Sequence, residues 1–386
     1  MAAKIHIHPA NRIIALFPEL QGVGGIQEAG RLTAAALTDI AATHDYLCDF
    51  LSLNDSPGPQ TFASLNGDIP FRGFGRAKAQ FTLAAIGKAR RGPQIVLAAH
   101  PHLALPAAQL KLFRPKLKIA VISHGVEIWH RLPPLRRRAF LRADIFMAPS
   151  RYTIEQIVEV QGAPRTRTRQ VAWPLNPDIL RMAEHPETLP LPPGFPRGLI
   201  ALAVARLMAN EKYKGVDQLI RAIAQLAPKV PAVNLVVVAS GDDLARHRTL
   251  AADLAIAQRV HFFEDLSPRQ VAACYSQCDM FALPSTGEGF GLVFLEAMAF
   301  AKPVIGAAAG GVTDIIEHAA NGLLVSPGNF DQLAQCLERL LLSESLRTQL
   351  GRKGAELVRS KYQFDIFRHE LERVLVDCGL ESRASR

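Results

Sequence analysis

Short, largely apolar runs recur along this chain, each followed by a polar-faced helical stretch, and they fall into two series. The first series is Ile13–Phe17, Ile95–Ala98, Ile119–Ser123 and Ile145–Ala148. The second is Leu199–Val204, Asn234–Val238, Val260–Phe263, Met280–Leu283 and Pro303–Ile305. Runs that are apolar at nearly every position rather than every second one belong to strands buried on both faces, the condition of a parallel sheet. Alternation with helices implies right-handed crossovers that cover the sheet. Between the series lies Glu187-Thr-Leu-Pro-Leu-Pro-Pro-Gly-Phe-Pro-Arg-Gly198, dense in Pro and Gly and read as a linker. At 386 residues the chain exceeds what one common-sized core organises. The expectation is α/β: two doubly wound, Rossmann-like domains facing a central cleft, with ligands beyond the carboxyl ends of the strands.

The densest local signal is Ser285-Thr-Gly-Glu-Gly-Phe-Gly-Leu-Val-Phe-Leu-Glu-Ala-Met-Ala299. A strand ends before it, Gly289 and Gly291 permit a tight turn and close approach of a ligand, and a helix begins at Leu292. Such a unit aims unpaired backbone N–H groups and a helix dipole at an anion. Glu288 in the loop and Glu296 on the helix stand seven residues apart, both able to accept hydrogen bonds from hydroxyl groups. A phosphate flanked by hydroxyls describes a sugar nucleotide. The competing reading is an ordinary crossover with two solvated acids; a bare pair at this spacing has little weight, and the Gly-Phe-Gly insert is what tells against it.

This stretch resembles the E-x7-E signature of retaining glycosyltransferases of family 4, which have the GT-B fold. The likeness extends to Ala203-Val-Ala-Arg-Leu207 and Tyr213-Lys-Gly-Val-Asp-Gln-Leu-Ile220, similar to the family's arginine and lysine pair. It continues through Gly310-Gly-Val-Thr-Asp-Ile-Ile-Glu317 and Asn321-Gly-Leu-Leu-Val325, and more sparsely through Gly24-Gly25 and Ser123-His-Gly-Val-Glu127. The sequence departs from the pattern at Trp173-Pro-Leu-Asn176, where a Pro-Asn-Gly turn is usual, and at Thr313-Asp314, where Pro-Glu is common. The resemblance implies an acceptor-binding domain at 1–186, a linker at 187–198, a donor-binding domain at 199–361, and a last helix near 362–378 crossing back onto the N-terminal domain.

It also implies roles. Arg206 and Lys214 would stabilise the charge that grows on the leaving diphosphate, the term that is usually largest in such chemistry. A planar fork and a point charge suit adjacent oxygens, and Lys212 is the alternative lysine. Glu296 would bond the ribose. Glu288, with the backbone of Phe290 and Gly291, would hold hydroxyls of the transferred sugar. The N–H groups of Leu292 and Val293 would meet the phosphate, and Gly25 would admit it to the N-terminal domain. His124 would lie against the sugar; its alternative is a buried structural histidine. Retention by front-face attack, with the leaving phosphate as base, needs no protein nucleophile. No Asp-x-Asp motif stands out, so neither metal nor cofactor is expected, and the donor is itself the substrate. The reading is therefore a hexosyltransferase acting on a nucleoside-diphosphate sugar and a lipid-linked or polysaccharide acceptor. The alternative from another class is a sugar-nucleotide-binding or scaffold protein without activity. A dehydrogenase is disfavoured, because Gln27 stands where a dinucleotide turn beginning at Gly22 requires its last glycine.

Charge is uneven. Residues 1–180 hold 22 Lys/Arg against 12 Asp/Glu; residues 71–150 hold 15 basic residues against only Glu127 and Asp144. Phe71, Phe74, Phe81, Leu83, Leu110, Leu112 and Phe113 are interleaved with them. A basic and apolar face suits an anionic membrane surface, at about 1 kcal/mol per well-placed cation; a merely solvated face is the alternative. No nucleic-acid-binding pattern is present. Met1-Ala-Ala-Lys-Ile-His-Ile-His8 lacks the apolar core of a signal peptide, and no apolar run reaches the ~18 residues a spanning helix needs. Five scattered cysteines argue for a reducing compartment; Cys274 and Cys278 are read as core thiols rather than metal ligands. The expected location is cytoplasmic, peripheral at the inner membrane face.

Overall fold

A computed structural model describes residues 12–64, 66–92 and 94–381; the leading stretch Met1–His8 lies outside these. The chain divides into two compact units, residues 1–174 with 364–386, and residues 175–363.

The first unit is built on an eight-stranded sheet. Its strands are β1 (Arg12–Phe17), β2 (Leu47–Ser52), β3 (Gly58–Ser64), β4 (Gly67–Gly73), β5 (Ile95–Ala98), β6 (Lys118–Ile122), β7 (Ile145–Ala148) and β8 (Thr168–Gln170). Their order is β3-β4-β2-β1-β5-β6-β7-β8, and every pairing is parallel except β3 against β4. β5 and β7 are buried at every residue, as strands covered on both faces must be. The connection order reverses between β1 and β5, the switch point at which the carboxyl ends of such a sheet open to ligands.

The second unit carries a six-stranded parallel sheet of β9 (Leu199–Arg206), β10 (Val233–Ser240), β11 (Val260–Phe263), β12 (Met280–Leu283), β13 (Val304–Ala307) and β14 (Leu323–Val325). The order is β11-β10-β9-β12-β13-β14, so its switch point lies between β9 and β12. Covering helices start on clear signals. The helix Pro268–Gln277 has Ser267 as its cap, Gln270 completing a capping box, and Pro at its first position.

The division differs from one at residue 186. The helix Pro177–Glu184 packs against Pro268–Gln277 and Leu292–Ala299, so it and the Pro/Gly-rich segment belong to the second unit. The helix Phe364–Asp377 packs on Gly25–His44 in the first unit. There His44 Nε2 meets Glu372 Oε1 at 2.6 Å, and Trp173 lies against Phe367 with ring centroids 5.6 Å apart.

The interleaved apolar residues of 71–150 do not share one outer face. Phe71, Phe74, Phe81 and Leu110 are core, because β4 and two covering helices turn them inward. Leu83, Leu112 and Phe113 are exposed. No described helix is long and apolar enough to cross a membrane. All five cysteines are free; Cys274 and Cys278 are buried, and burial pushes both thiols up to about 12. Among the described residues no cluster of His, Cys, Asp or Glu is arranged to hold a metal ion.

Candidate active site

In the second unit the sequence-predicted residues gather around the β9/β12 switch point. Arg206 is the last residue of β9 and Glu288 stands in the loop after β12. Between them the segment Lys212–Lys214 forms a single 3-10 turn that ends on Gly215 at φ +73°. A Cβ at Gly215 would come 2.7 Å from the Pro284 carbonyl oxygen, so glycine lets this turn press against the loop after β12. Thr286 N–H donates to the Tyr213 carbonyl at 2.9 Å and pins the two loops together.

That apposition puts Lys214 Nζ 2.6 Å from Glu288 Oε1, across 74 residues of sequence. The two side chains are only 17% and 13% exposed, so solvent screens the pair poorly. Lys212 is exposed and does not reach Glu288; of the two candidates, the structure brings Lys214 to the loop.

Arg206 is more open. Its Nη2 donates to Glu211 Oε1 at 2.6 Å, while Glu211 Oε2 is buried with no hydrogen-bond partner. Burial, then the charges of Glu211 and Glu288, push the Tyr213 hydroxyl up to about 12, so it is a donor at any physiological pH.

Phe290 is buried and meets Tyr362 edge-on at 5.9 Å. Gly291 caps the helix Leu292–Ala299 at φ +104°, a conformation that strains any residue with a Cβ. Leu292 and Val293 follow as the first helical residues, whose N–H groups have no partner within the helix. Behind them Gly311 N–H donates to the Glu288 carbonyl at 2.8 Å. A Cβ on Gly311 would stand 2.1 Å from the Gly289 oxygen, so Gly310-Gly-Val-Thr-Asp314 supports the glycine loop by backbone contact. Asp314 offers its carbonyl to the Tyr362 hydroxyl at 3.3 Å.

Glu296 sits one turn into the same helix, where the Tyr275 hydroxyl donates to its Oε2 at 2.8 Å. Tyr275 is fully buried, and burial, then the Glu296 charge, raises its proton affinity well above the ordinary phenol range. A permanently protonated donor thus fixes this carboxylate. Sequence reading missed Glu211, Tyr213 and Tyr275; the aromatic identity of Tyr275 inside an apolar helix was the one available signal, since a buried phenol needs a partner.

Gly25 and His124 lie in the first unit, after β1 and β6. A Cβ at Gly25 would meet nothing within 4 Å, so no packing contact demands glycine there. His124 is half-buried and its Nε2 donates to the Ala99 carbonyl at 2.8 Å. The Nε2 proton is assigned because a carbonyl oxygen only accepts. The ring stacks between Trp173, at 5.4 Å, and His100, at 5.8 Å. His100 in turn is driven down to about 2 by burial and by its His124 and His102 neighbours, and so stays neutral. Trp173 thereby joins His124 to the helix Phe364–Asp377, and Asn176 caps Pro177–Glu184 by accepting from Asp178 N–H.

Comparison with known proteins bears on this arrangement. Residues 195–357 match the family model for glycosyl transferases group 1. A GDP-mannose-dependent alpha-(1-6)-phosphatidylinositol monomannoside mannosyltransferase of Mycobacterium tuberculosis is 28% identical over 67% of this chain and 71% of that protein. A D-inositol 3-phosphate glycosyltransferase of Corynebacterium jeikeium is 34% identical over 36% of this chain and 35% of its own length. Among solved structures, sucrose-phosphate synthase from Thermosynechococcus elongatus superposes with a TM-score of 0.73 at 20% identity, covering 95% of this chain and 98% of that one. HepE of Anabaena in complex with UDP gives 0.72 at 17% identity, over 95% and 100%. At such identities the structural likeness shows the fold, which is GT-B.

Proposed function

We propose, from the premise that this chain is a glycosyltransferase of GT-B fold carrying the group 1 module, that it is a retaining hexosyltransferase of the family 4 type with a lipid-linked or polysaccharide acceptor. The observation that carries this reading is the half-buried Lys214–Glu288 pair at 2.6 Å beside the amino end of the helix Leu292–Ala299. Cation, carboxylate and helix N-terminus together form a place for a diphosphate with a hydroxylated group attached.

The roles follow from charge. Cleavage of the anomeric bond puts negative charge on the diphosphate, and Lys214, Arg206 and the N–H groups of Leu292 and Val293 are assigned to it. Glu288, with the Phe290 and Gly291 backbone, is assigned to hydroxyls of the sugar. Glu296, pre-positioned by Tyr275, is assigned to the ribose. Gly25 and His124, in the first unit, are assigned to the phosphates and the sugar by the family resemblance alone. The leaving phosphate serves as base, so the reaction needs no protein nucleophile, metal or cofactor.

The relatives that use GDP-mannose on phosphatidylinositol mannosides make GDP-mannose the first donor to try and a phosphate-bearing glycolipid the first acceptor class. The basic face of 71–150 would hold the enzyme at anionic lipid on the cytoplasmic side. The test is thermal shift and donor turnover with GDP-mannose, UDP-glucose and ADP-glucose, with the product anomer read by NMR. One donor should raise the melting temperature and yield product of unchanged anomeric configuration. An inverted product would refute retention; a protein that no nucleotide sugar stabilises would refute the assignment of the site.

A further inference from the structure

The connection between β6 and β7 in the first unit carries five arginines, Arg131, Arg136, Arg137, Arg138 and Arg142. Four of them, all but Arg136, line a cavity of about 740 Å³ whose remaining wall is Leu132, Leu141 and two prolines. The nearest acidic residues in sequence are engaged elsewhere. Glu127 accepts from the His124 N–H at 2.5 Å, and Asp144 takes Lys111 at 2.7 Å and Lys118 at 3.5 Å. Among the described residues none of the four cavity arginines pairs with a carboxylate.

The cavity is built, not incidental. Gln161 is fully buried and spends its whole amide on the loop that carries Arg131: its Oε1 accepts from Leu132 N–H at 3.1 Å, and its Nε2 donates to the carbonyls of Ile128 and His130 at 2.8 and 2.7 Å. Its neighbour Gly162, at φ +74°, leaves the slot in which the Arg137 guanidinium lies; a Cβ there would stand 2.7 Å from Nη2. Within that slot Arg137 Nε is shielded from solvent with no hydrogen-bond partner. A buried donor without an acceptor is costly unless something supplies one.

We propose that this cavity binds the phosphate of an anionic lipid headgroup, the Arg137 fork facing the phosphate oxygens and Leu132 and Leu141 facing the glyceride carbons. The proposal rests on the reading of a lipid-linked acceptor and sharpens it, replacing a diffuse basic face with a discrete site. Planar guanidinium groups match phosphate bidentately. The volume and the hydrocarbon wall exceed what a bare inorganic anion needs. No aromatic ring lines the cavity, so it lacks the stacking platform of a single-stranded nucleic acid site.

Replacement of Arg137 and Arg138 by Lys separates site from face, because total charge is conserved while the fork is lost. Co-sedimentation is measured with phosphatidylcholine vesicles, with and without phosphatidylglycerol, alongside binding of soluble glycerol 3-phosphate. The wild-type protein should bind the anionic vesicles only, and R137K/R138K should bind them about tenfold more weakly. The melting temperature and hydrolysis of the soluble donor should be unchanged. Equal vesicle binding by both proteins would overturn the discrete site and leave the diffuse basic face standing. Glycerol 3-phosphate bound as tightly as the vesicles would overturn the lipid source. Loss of donor hydrolysis in the wild-type protein itself would instead count against the transferase reading.

Discussion

The two units hold their charges in opposite ways. Residues 1–174 and 364–386 carry 26 Lys/Arg against 16 Asp/Glu, whereas residues 175–363 carry 18 against 19. In the second unit the cations of the site are matched one to one: Lys214 with Glu288 and Arg206 with Glu211. In the first unit four of the five arginines after β6 line a cavity without a carboxylate among its lining residues. A matched set keeps its geometry by itself and exposes little net field; its cations act on an anion only at contact distance. An unmatched set projects a field over a Debye length, about 8–10 Å at ordinary salt, and draws anions to itself. On the function proposed above, the difference gives short-range positioning to the second unit and capture of an anionic surface to the first.

The strongest way to break the comparison is to remove a matched cation. Lys214→Ala should lower turnover by on the order of 10²–10³, since it deletes charge stabilisation that grows in the transition state. It also leaves Glu288 half-buried and unpaired, which repels the incoming diphosphate. Arg206→Ala should cost a similar factor, with better-preserved stability because its side chain is 62% exposed. Steady-state kinetics on folded variants decide this, and near-normal turnover in both would remove the diphosphate assignment.

A smaller effect distinguishes the two glutamates. Glu296→Gln should weaken binding of the free nucleoside diphosphate by roughly tenfold, the size of a lost charged hydrogen bond. Glu288→Gln should spare that binding and lower sugar transfer. Tyr275→Phe should follow Glu296→Gln, but only for ribonucleotides; affinity for the 2′,3′-dideoxy diphosphate should not change. Calorimetry with both ligands tests this, and equal losses in the two glutamate variants would show the roles to be misassigned.

The comparison itself was only half legible in the sequence. Strands such as β5 and β7 show because every residue is apolar. β2, β3 and β4 are hidden by Asp49, Pro59, Asp68 and Pro70, and the hairpin of β3 and β4 is covered on alternate residues only. That is why Phe71 and Phe74 read as part of an outer face when they are core. Glu288 and Glu296 were picked out by their spacing around the Gly-Phe-Gly insert, and Lys214 by the family resemblance. That Lys214 pairs with Glu288, and Tyr275 with Glu296, was not legible, because sheet topology alone brings these distant segments together. The domain boundary at 186 was not legible, since the helix Pro177–Glu184 docks on helices of the second unit that lie far along the chain.

In the first unit a neutral group gives a further contrast. His100 lies near 2 in the folded protein against an ordinary 6.5, burial being the first cause. His102 is lowered in the same sense by burial, then by Arg136 and Lys78, with Glu127 opposing. A lowered histidine takes its proton in the unfolded chain first, so stability is complete above pH 6.5 and falls as pH drops toward the folded value. The slope is about 1.4 kcal/mol per pH unit. Urea unfolding at pH 6.5 and 5 should therefore lose about 2 kcal/mol from this group in the wild-type protein. His100→Asn, which keeps an acceptor for the His102 N–H, should lose much less. An identical acid slope in the variant would show that the ring titrates normally.

The smallest effect tests whether pairing alone explains the second unit's order. Glu155 and Arg165, in the first unit, form an ion pair by the same chemistry as Lys214 and Glu288, but with side chains 40% and 57% exposed. The Arg165 hydrogen bond lowers the Glu155 carboxyl and the pairing raises Arg165, as in any close pair. Water already solvates both groups, so joining them exchanges one favourable setting for another and restricts two long side chains. Glu155→Gln should leave the melting temperature unchanged within error at low and high salt. A clear loss would mean that exposed pairs matter as much here as the half-buried one, and the contrast between the units would then lie in charge number alone. No loss keeps burial as the reason that Lys214 and Glu288 hold their geometry while the first unit's surface charges stay available to a partner.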